Sequence, residues 1–179
     1  MLELASLGLL QGEPLHGYRL KQQLELFMSS SISVNYGAIY PLLRRLEKRG
    51  DIATLATDAT ETGLSRKTYC ITEKGRQRWY EKMMEHPQES WVNSRSRFCI
   101  KFFFFSHLEG GERIKLLEHR LSVCKLRLER FEVEQLTDPY QQTVWQQCLT
   151  ILKAEIQWLS EQLAKEETDY YSSTQQIRI

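Results

Sequence analysis

The sequence predicts a mainly α-helical protein with one small β-hairpin: a compact head, followed by an antiparallel, coiled-coil-like pair of long helices. Three observations carry that expectation. Apolar residues recur at helical spacing through most of the chain. The period changes once, between Asp51 and Thr72, to two short alternating runs around a polar loop. Glycines stand at positions 8, 12, 17, 37, 50, 63 and 75, after which Gly110 and Gly111 alone remain, so short segments give way to long ones.

The composition is that of an ordinary soluble globular protein. The 179 residues hold 24 Lys+Arg against 23 Asp+Glu and are 41% hydrophobic, enough for one domain of usual size or two small ones. The longest purely apolar block of the second half is Phe102 to Phe105, far below the roughly 18 residues of a membrane-spanning helix. The amino-terminal stretch MLELASLGLLQGEP has an acidic residue where a signal peptide needs a positive one, so a cytoplasmic protein with no membrane contact is expected. Cys70, Cys99, Cys124 and Cys148 form no CxxC and read as reduced packing cysteines. His16, His86, His107 and His119 lack ligand spacing, and neither a P-loop nor a GxSxG is present, so no enzyme, metal or cofactor is expected.

The boundary is placed at His86-Pro87-Gln88, because proline removes a backbone donor and disfavours helix in the residue before it. That gives a head over residues 1–86, a helical domain over 87–171 and a tail over 172–179 expected to be disordered, with fraying from Thr168 onward.

Within the head, Leu4, Leu7 and Leu10 define a short helix ending near Gly12, and a second starts between Pro14 and His16 and runs through Tyr18, Leu20, Leu24 and Phe27. Asn35 stands where an N-cap acceptor is wanted for a third helix, Tyr36 to Arg49, which has Ile39, Leu42, Leu43 and Leu46 on one face. Pro41 inside it is expected to bend it. Asp51–Ala56 and Lys67–Thr72 read as the strands of a hairpin around the loop Thr57–Ser65, and Thr72 can cap a helix from Glu73 to Glu85. Helix, helix, helix, hairpin is the order of a winged helix-turn-helix.

Charge supports the same reading once it is located. Residues 1–86 carry 12 Lys+Arg and 10 Asp+Glu, a small excess concentrated in Arg44, Arg45, Lys48 and Arg49 and in Arg66 and Lys67. On the third helix, Tyr36, Ala38, Tyr40, Arg44 and Lys48, with Asn35 at its start, lie where a recognition helix meets base edges and phosphates. An ordinary solvated face is the alternative for Arg45, Lys48 and Arg49, and Tyr40 could pack inward against Leu43. Ser65, Arg66 and Lys67 at the wing tip are expected to reach phosphate or the minor groove. The roles of His16 and Tyr18 stay open.

The strings Leu7-Gly8-Leu9-Leu10, Pro14-Leu15-His16-Gly17-Tyr18, Ile39-Tyr40-Pro41-Leu42-Leu43-Arg44-Arg45-Leu46-Glu47 with Gly50, and Tyr69-Cys70-Ile71-Thr72-Glu73-Lys74-Gly75 closely resemble the PadR family of bacterial transcriptional regulators in order and spacing, across about the first half of the chain. The resemblance implies a winged-helix DNA-binding domain followed by a helical dimerisation domain, usually repressing transcription and in some members releasing DNA when a small aromatic ligand binds.

The second half reads independently. Ser90 to His107 forms a helix apolar nearly all round, with Trp91, Phe98, Phe102 and Phe105 on one face. Ile114, Leu117, Leu121, Cys124, Leu128 and Phe131 then alternate three and four apart, and Trp145, Leu149, Leu152, Ile156, Leu159 and Leu163 repeat the seam after Asp138-Pro139. Two seamed helices cover one another but leave the phenylalanine-rich helix in need of a partner subunit; a monomeric three-helix bundle is the alternative. The expected homodimer contacts are Phe98, Phe102, Phe105, Leu117, Leu121, Leu128, Leu152, Ile156 and Leu159. Trp91 and Phe98 are the candidates for lining an effector pocket. The function expected is a dimeric, sequence-specific regulator of transcription, a repressor, on double-stranded DNA with an inverted-repeat operator. The competing class is a winged-helix adaptor that grips another protein.

Overall fold

A computed structural model describes residues 1–28, 36–59, 65–131 and 137–176 of the chain. Helix α1, Leu2–Gly12, buries Leu4, Leu7 and Leu10 as their spacing predicts. The second helix starts later than expected. Leu15 and His16 form a two-residue strand, β1, and α2 runs Gly17–Met28. A strand that short has no period to read, and it exists because β3 offers it an antiparallel edge, with Leu15 opposite Tyr69 and His16 opposite Thr68.

The third helix begins as a 3-10 turn, Tyr36–Ala38, and becomes α-helical as α3 over Ile39–Arg49. Its N-cap is Ala38, without a side-chain cap; Asn35, the expected cap, lies outside the described residues. With this start Pro41 is the third helical residue. Its missing N–H falls among the first four, which have no partner inside a helix, so the expected bend loses its cause. Ile39, Leu42, Leu43 and Leu46 are all buried, each worth about 1.5–3 kcal/mol of apolar transfer. Gly50 ends the helix at φ 77, the left-handed conformation that favours glycine.

Strands β2, Ile52–Ala59, and β3, Ser65–Ile71, are longer than predicted, and β3 is central in the order β1-β3-β2. The register shifts between Thr54 and Ala56, a bulge that leaves Leu55 exposed. Thr72 caps α4, Glu73–Met84, its hydroxyl accepting from the Gly75 N–H at 3.1 Å. Ser90 caps α5, Trp91–Phe103, which passes into a 3-10 turn at Phe105–His107.

The chain divides into two compact units between His107 and Leu108, not at Pro87. The phenylalanine-rich helix therefore belongs to the first unit. Its end packs there: the Phe104 ring meets Trp79 edge-on at 6.4 Å and lies 2.6 Å from where a Cβ on Gly8 would stand, and the buried Lys101 donates to the Glu85 carbonyl at 2.5 Å. Pro87 interrupts the helix as predicted without ending the packing.

The second unit holds α6, Gly110–Phe131, and α7, Pro139–Gln176. They are antiparallel, since Arg113 pairs with Glu166 at 2.8 Å while Arg120, further along α6, pairs with Glu155 at 2.7 Å. Leu117, Leu121 and Cys124 of one seam and Leu152 and Leu159 of the other are buried within this unit. Helix α7 continues past Thr168, against the fraying and the tail expected from residue 172. The Tyr170 ring explains part of this, because it closes on Gly110 to within 2.7 Å of a would-be Cβ. Cys124 is buried, but Cys99 and Cys148 are exposed, which corrects the reading of all four cysteines as packing residues.

Six of the nine expected dimer contacts are buried by their own chain. Leu117, Leu121, Leu152 and Leu159 are buried in the second unit, and Phe98 and Phe105 in the first, where the Phe98 ring lies 6.2 Å from Phe102 and 6.4 Å from Phe105. Phe102, Leu128 and Ile156 are half-buried. What α7 leaves outside is a different row, Val144, Ile151 and Trp158 at seven-residue intervals with Cys148 between them.

Candidate nucleic-acid interface

Helix α3 presents two opposite faces. Its apolar side is buried, and Ala38, Tyr40, Arg44, Arg45 and Lys48 are exposed on the other. Among the described residues Arg44, Arg45 and Lys48 make no ion pair. Arg49 is different. It reaches the buried Asp51 at 2.8 Å and Glu3 at 3.1 Å, and Arg78 joins Glu3 at 2.5 Å, so this end of the basic run ties α1, α3 and α4 together.

Tyr40 is 47% exposed. Its ring edge stands 3.2 Å from where a Cβ on Gly17 would lie, and the Tyr69 ring stands at 3.5 Å from the same point. Glycine at 17 thus lets β1, α3 and β3 close on one another. The result is a cleft of about 280 Å³ lined by His16, Gly17, Tyr18, Tyr40, Arg44, Lys67 and Tyr69. His16 Nδ1 and the Thr68 hydroxyl share a hydrogen bond of 2.8 Å across the β1–β3 pair, which fixes the floor. Tyr18, 63% exposed, stands at the start of α2, with the Gln22 amide donating to its hydroxyl at 3.3 Å. Burial pushes the Tyr69 hydroxyl above its ordinary pKa, so it stays protonated and able to donate.

The wing residues sit lower than expected. Ser65, Arg66 and Lys67 are strand residues of β3, opposite Ala59, Asp58 and Thr57, while the loop at 60–64 lies outside the described residues. Lys67 turns toward the helix: its ammonium is 3.4 Å from the Glu47 carboxylate, which also accepts from the Thr54 hydroxyl at 2.6 Å. The Thr54 hydroxyl and then Lys67 hold the Glu47 carboxyl below the usual carboxylate range.

The structure thus joins Tyr40, Arg44 and Lys67 at one cleft and leaves Ala38 and Lys48 exposed on the same helix. Tyr36 is placed by its backbone in the 3-10 turn. Sequence reasoning left His16 and Tyr18 open, named Gly17, Glu47 and Tyr69 only within the family strings, and did not single out Thr54. The available signal was the His16-Gly17-Tyr18 string, a small residue between two polar rings just before a helix.

Two helices joined into a reading pair and a three-stranded sheet ending in a hairpin define the winged helix-turn-helix class of proteins. Residues 7–81 match the Transcriptional regulator PadR-like family. The negative transcriptional regulator PadR of Bacillus subtilis is 29% identical over 128 residues, 72% of this chain and 69% of the relative. Solved structures resemble the chain as well. One is Bacillus subtilis PadR in complex with operator DNA, 26% identical, covering 92% of this chain and 98% of that one with a TM-score of 0.46. Another is the same protein in complex with p-coumaric acid, 24% identical, covering 93% and 98% with a TM-score of 0.43.

Proposed function

We propose that the chain is a dimeric, sequence-specific DNA-binding regulator of transcription that acts as a repressor. The observation that carries this is the match of residues 7–81 to a transcriptional-regulator family on a head whose third helix exposes Arg44, Arg45 and Lys48 beside a cleft holding Lys67. Exposed cations on a rigid helix suit a duplex, because phosphate contacts fix orientation while side chains of fixed geometry read bases. Repression is favoured by the curated relative, a negative regulator. Release by a small aromatic ligand belongs to the same reading and rests on the family resemblance.

Asn35, Tyr36, Ala38, Tyr40, Arg44, Lys48, Ser65, Arg66 and Lys67 remain the proposed contacts, with Tyr18 added from the cleft. The row Val144, Cys148, Ile151 and Trp158 is the proposed seam between subunits, since its 3.5-residue repeat is that of a helix pair and six of the nine earlier candidates are buried. Symmetric heads imply an inverted repeat with half-sites about one helical turn, roughly 34 Å, apart or a multiple of it.

The test is an electrophoretic shift with the chain's own upstream DNA and a scrambled duplex, repeated across salt and with phenolic acids added. Preference for the upstream DNA is expected, with a symmetric footprint. No shift on either duplex would overturn the DNA-binding reading in favour of an adaptor.

A further inference from the structure

We propose that Glu47 is a positioning residue that sets DNA specificity by holding the Lys67 ammonium against the recognition helix. The inference rests on the DNA-binding reading and concerns how its site rejects wrong sequences. Glu47 is an acidic side chain on the very helix whose exposed face is cationic, with Arg44 and Lys48 near it in sequence. For stability an exposed pair of this kind does little, and for plain attraction to phosphate it is a hindrance. Its geometry is nevertheless built. The Thr54 hydroxyl donates to Oε1 at 2.6 Å, a short charge-assisted bond, and the Lys67 ammonium lies 3.4 Å from both carboxylate oxygens. One carboxylate therefore joins α3, β2 and β3.

The consequence concerns Lys67. A lysine is a point charge on a flexible four-carbon stem, and left alone it finds a phosphate on almost any duplex. Tethered to Glu47, it stays at the rim of the cleft that it lines with Arg44 and Tyr40. A phosphate seated in that cleft meets both cations where they already stand. A phosphate displaced from it can be reached only by breaking the Glu47 pair and leaving a bare carboxylate beside DNA. The penalty falls on misregistered complexes.

The experiment compares the full chain with Glu47→Gln, Thr54→Val, Lys67→Met and the double variant Glu47→Gln/Lys67→Met, on upstream and scrambled duplexes across salt. Glutamine keeps an acceptor for Thr54 and removes the charge. Scrambled DNA should bind Glu47→Gln about three- to tenfold tighter, with a salt slope steeper by up to about one unit, while upstream DNA changes less than about twofold. Thr54→Val, which frees the carboxylate without altering charge, should also lower the upstream-to-scrambled ratio. In the Lys67→Met background the Glu47→Gln change in that ratio should vanish. An equal shift on both duplexes, or a change in the ratio that persists without Lys67, would overturn the proposal. A wild-type chain with no preference for upstream DNA would instead sink the DNA-binding reading, and the proposal with it.

Discussion

Gly75→Ala is the sharpest test of how the head is packed. In an exposed helix the change gains stability, about 1 kcal/mol. Gly75 instead lies in the first turn of α4 directly over the Asp51 backbone, where a Cβ would stand 2.0 Å from the Asp51 carbonyl oxygen and 2.8 Å from Ile71 Cγ1. The oxygen must retreat by more than an ångström, yet it is held: it accepts from the Thr72 N–H at 3.1 Å and from the Thr72 hydroxyl at 3.0 Å. Losing one or both bonds costs about 0.5–1.5 kcal/mol each, and forcing a well-packed contact apart costs about 1–3 kcal/mol more. Set against the helix gain, the net destabilisation is about 0.5–5 kcal/mol, centred near 3. Urea unfolding followed by Trp79 fluorescence, with the other three tryptophans replaced by phenylalanine, should show a midpoint lower by about 1–2 M at the usual m-values. Gly12→Ala is the control, since nothing lies within 4 Å of its Cβ position; it should be neutral or stabilising by up to about 1 kcal/mol. If Gly75→Ala unfolds within about 0.5 kcal/mol of wild type, the α4–Asp51 contact does not hold the head in the manner argued.

Three further outcomes are expected. Arg44→Ala should alter preference among duplexes by roughly 1–3 kcal/mol, whereas Arg66→Ala should weaken binding to every sequence and flatten the salt slope by about one unit; affinities measured across salt would expose the reverse pattern. Ile151→Glu should turn the dimer into monomers at micromolar concentration in sedimentation velocity while circular dichroism keeps its helix content, and an unchanged dimer would exclude this face as the interface. Burial, ahead of the nearby Arg97, lowers the Lys101 pKa from 10.5 to about 8. The unfolded chain then holds the extra proton between those values, so the cost of the buried charge is fully present below pH 8 and is relieved as pH rises toward 10.5, by at most about 3 kcal/mol; Lys101→Met should flatten that rise in stability against pH.

Much of the fold was legible because period and capping are local. The buried face of α3 follows from Ile39, Leu42, Leu43 and Leu46, and the start of α4 from Thr72, without knowledge of anything distant in sequence. What escaped was decided by partners far along the chain. Leu15 and His16 are a strand because Tyr69 and Thr68 lie opposite. Helix α5 joins the head because Gly8 leaves room for Phe104, and no local pattern at Pro87 records that. The end of α7 is helical although its sequence from Thr168 is polar, and there one contributing group is again distant, Gly110 under Tyr170.

The candidate site divides along the same line. Positive charge is a property of residue type, so Arg44, Lys48 and Lys67 could be named from sequence; whether a charge is available is a property of pairing, so Arg49 could not be told from its neighbours until Asp51 and Glu3 were found beside it. The seams show the same limit. A row of leucines at three- and four-residue spacing states that a helix has a partner and does not state whose. Here the buried Arg120 and the half-buried Glu155 pair within the chain and fix α6 and α7 on one another. The apolar row that stays exposed is the sparser one, Val144, Ile151 and Trp158. Two faces with the same repeat compete for attention in α7, and the one richer in leucine is the one that the chain closes on itself.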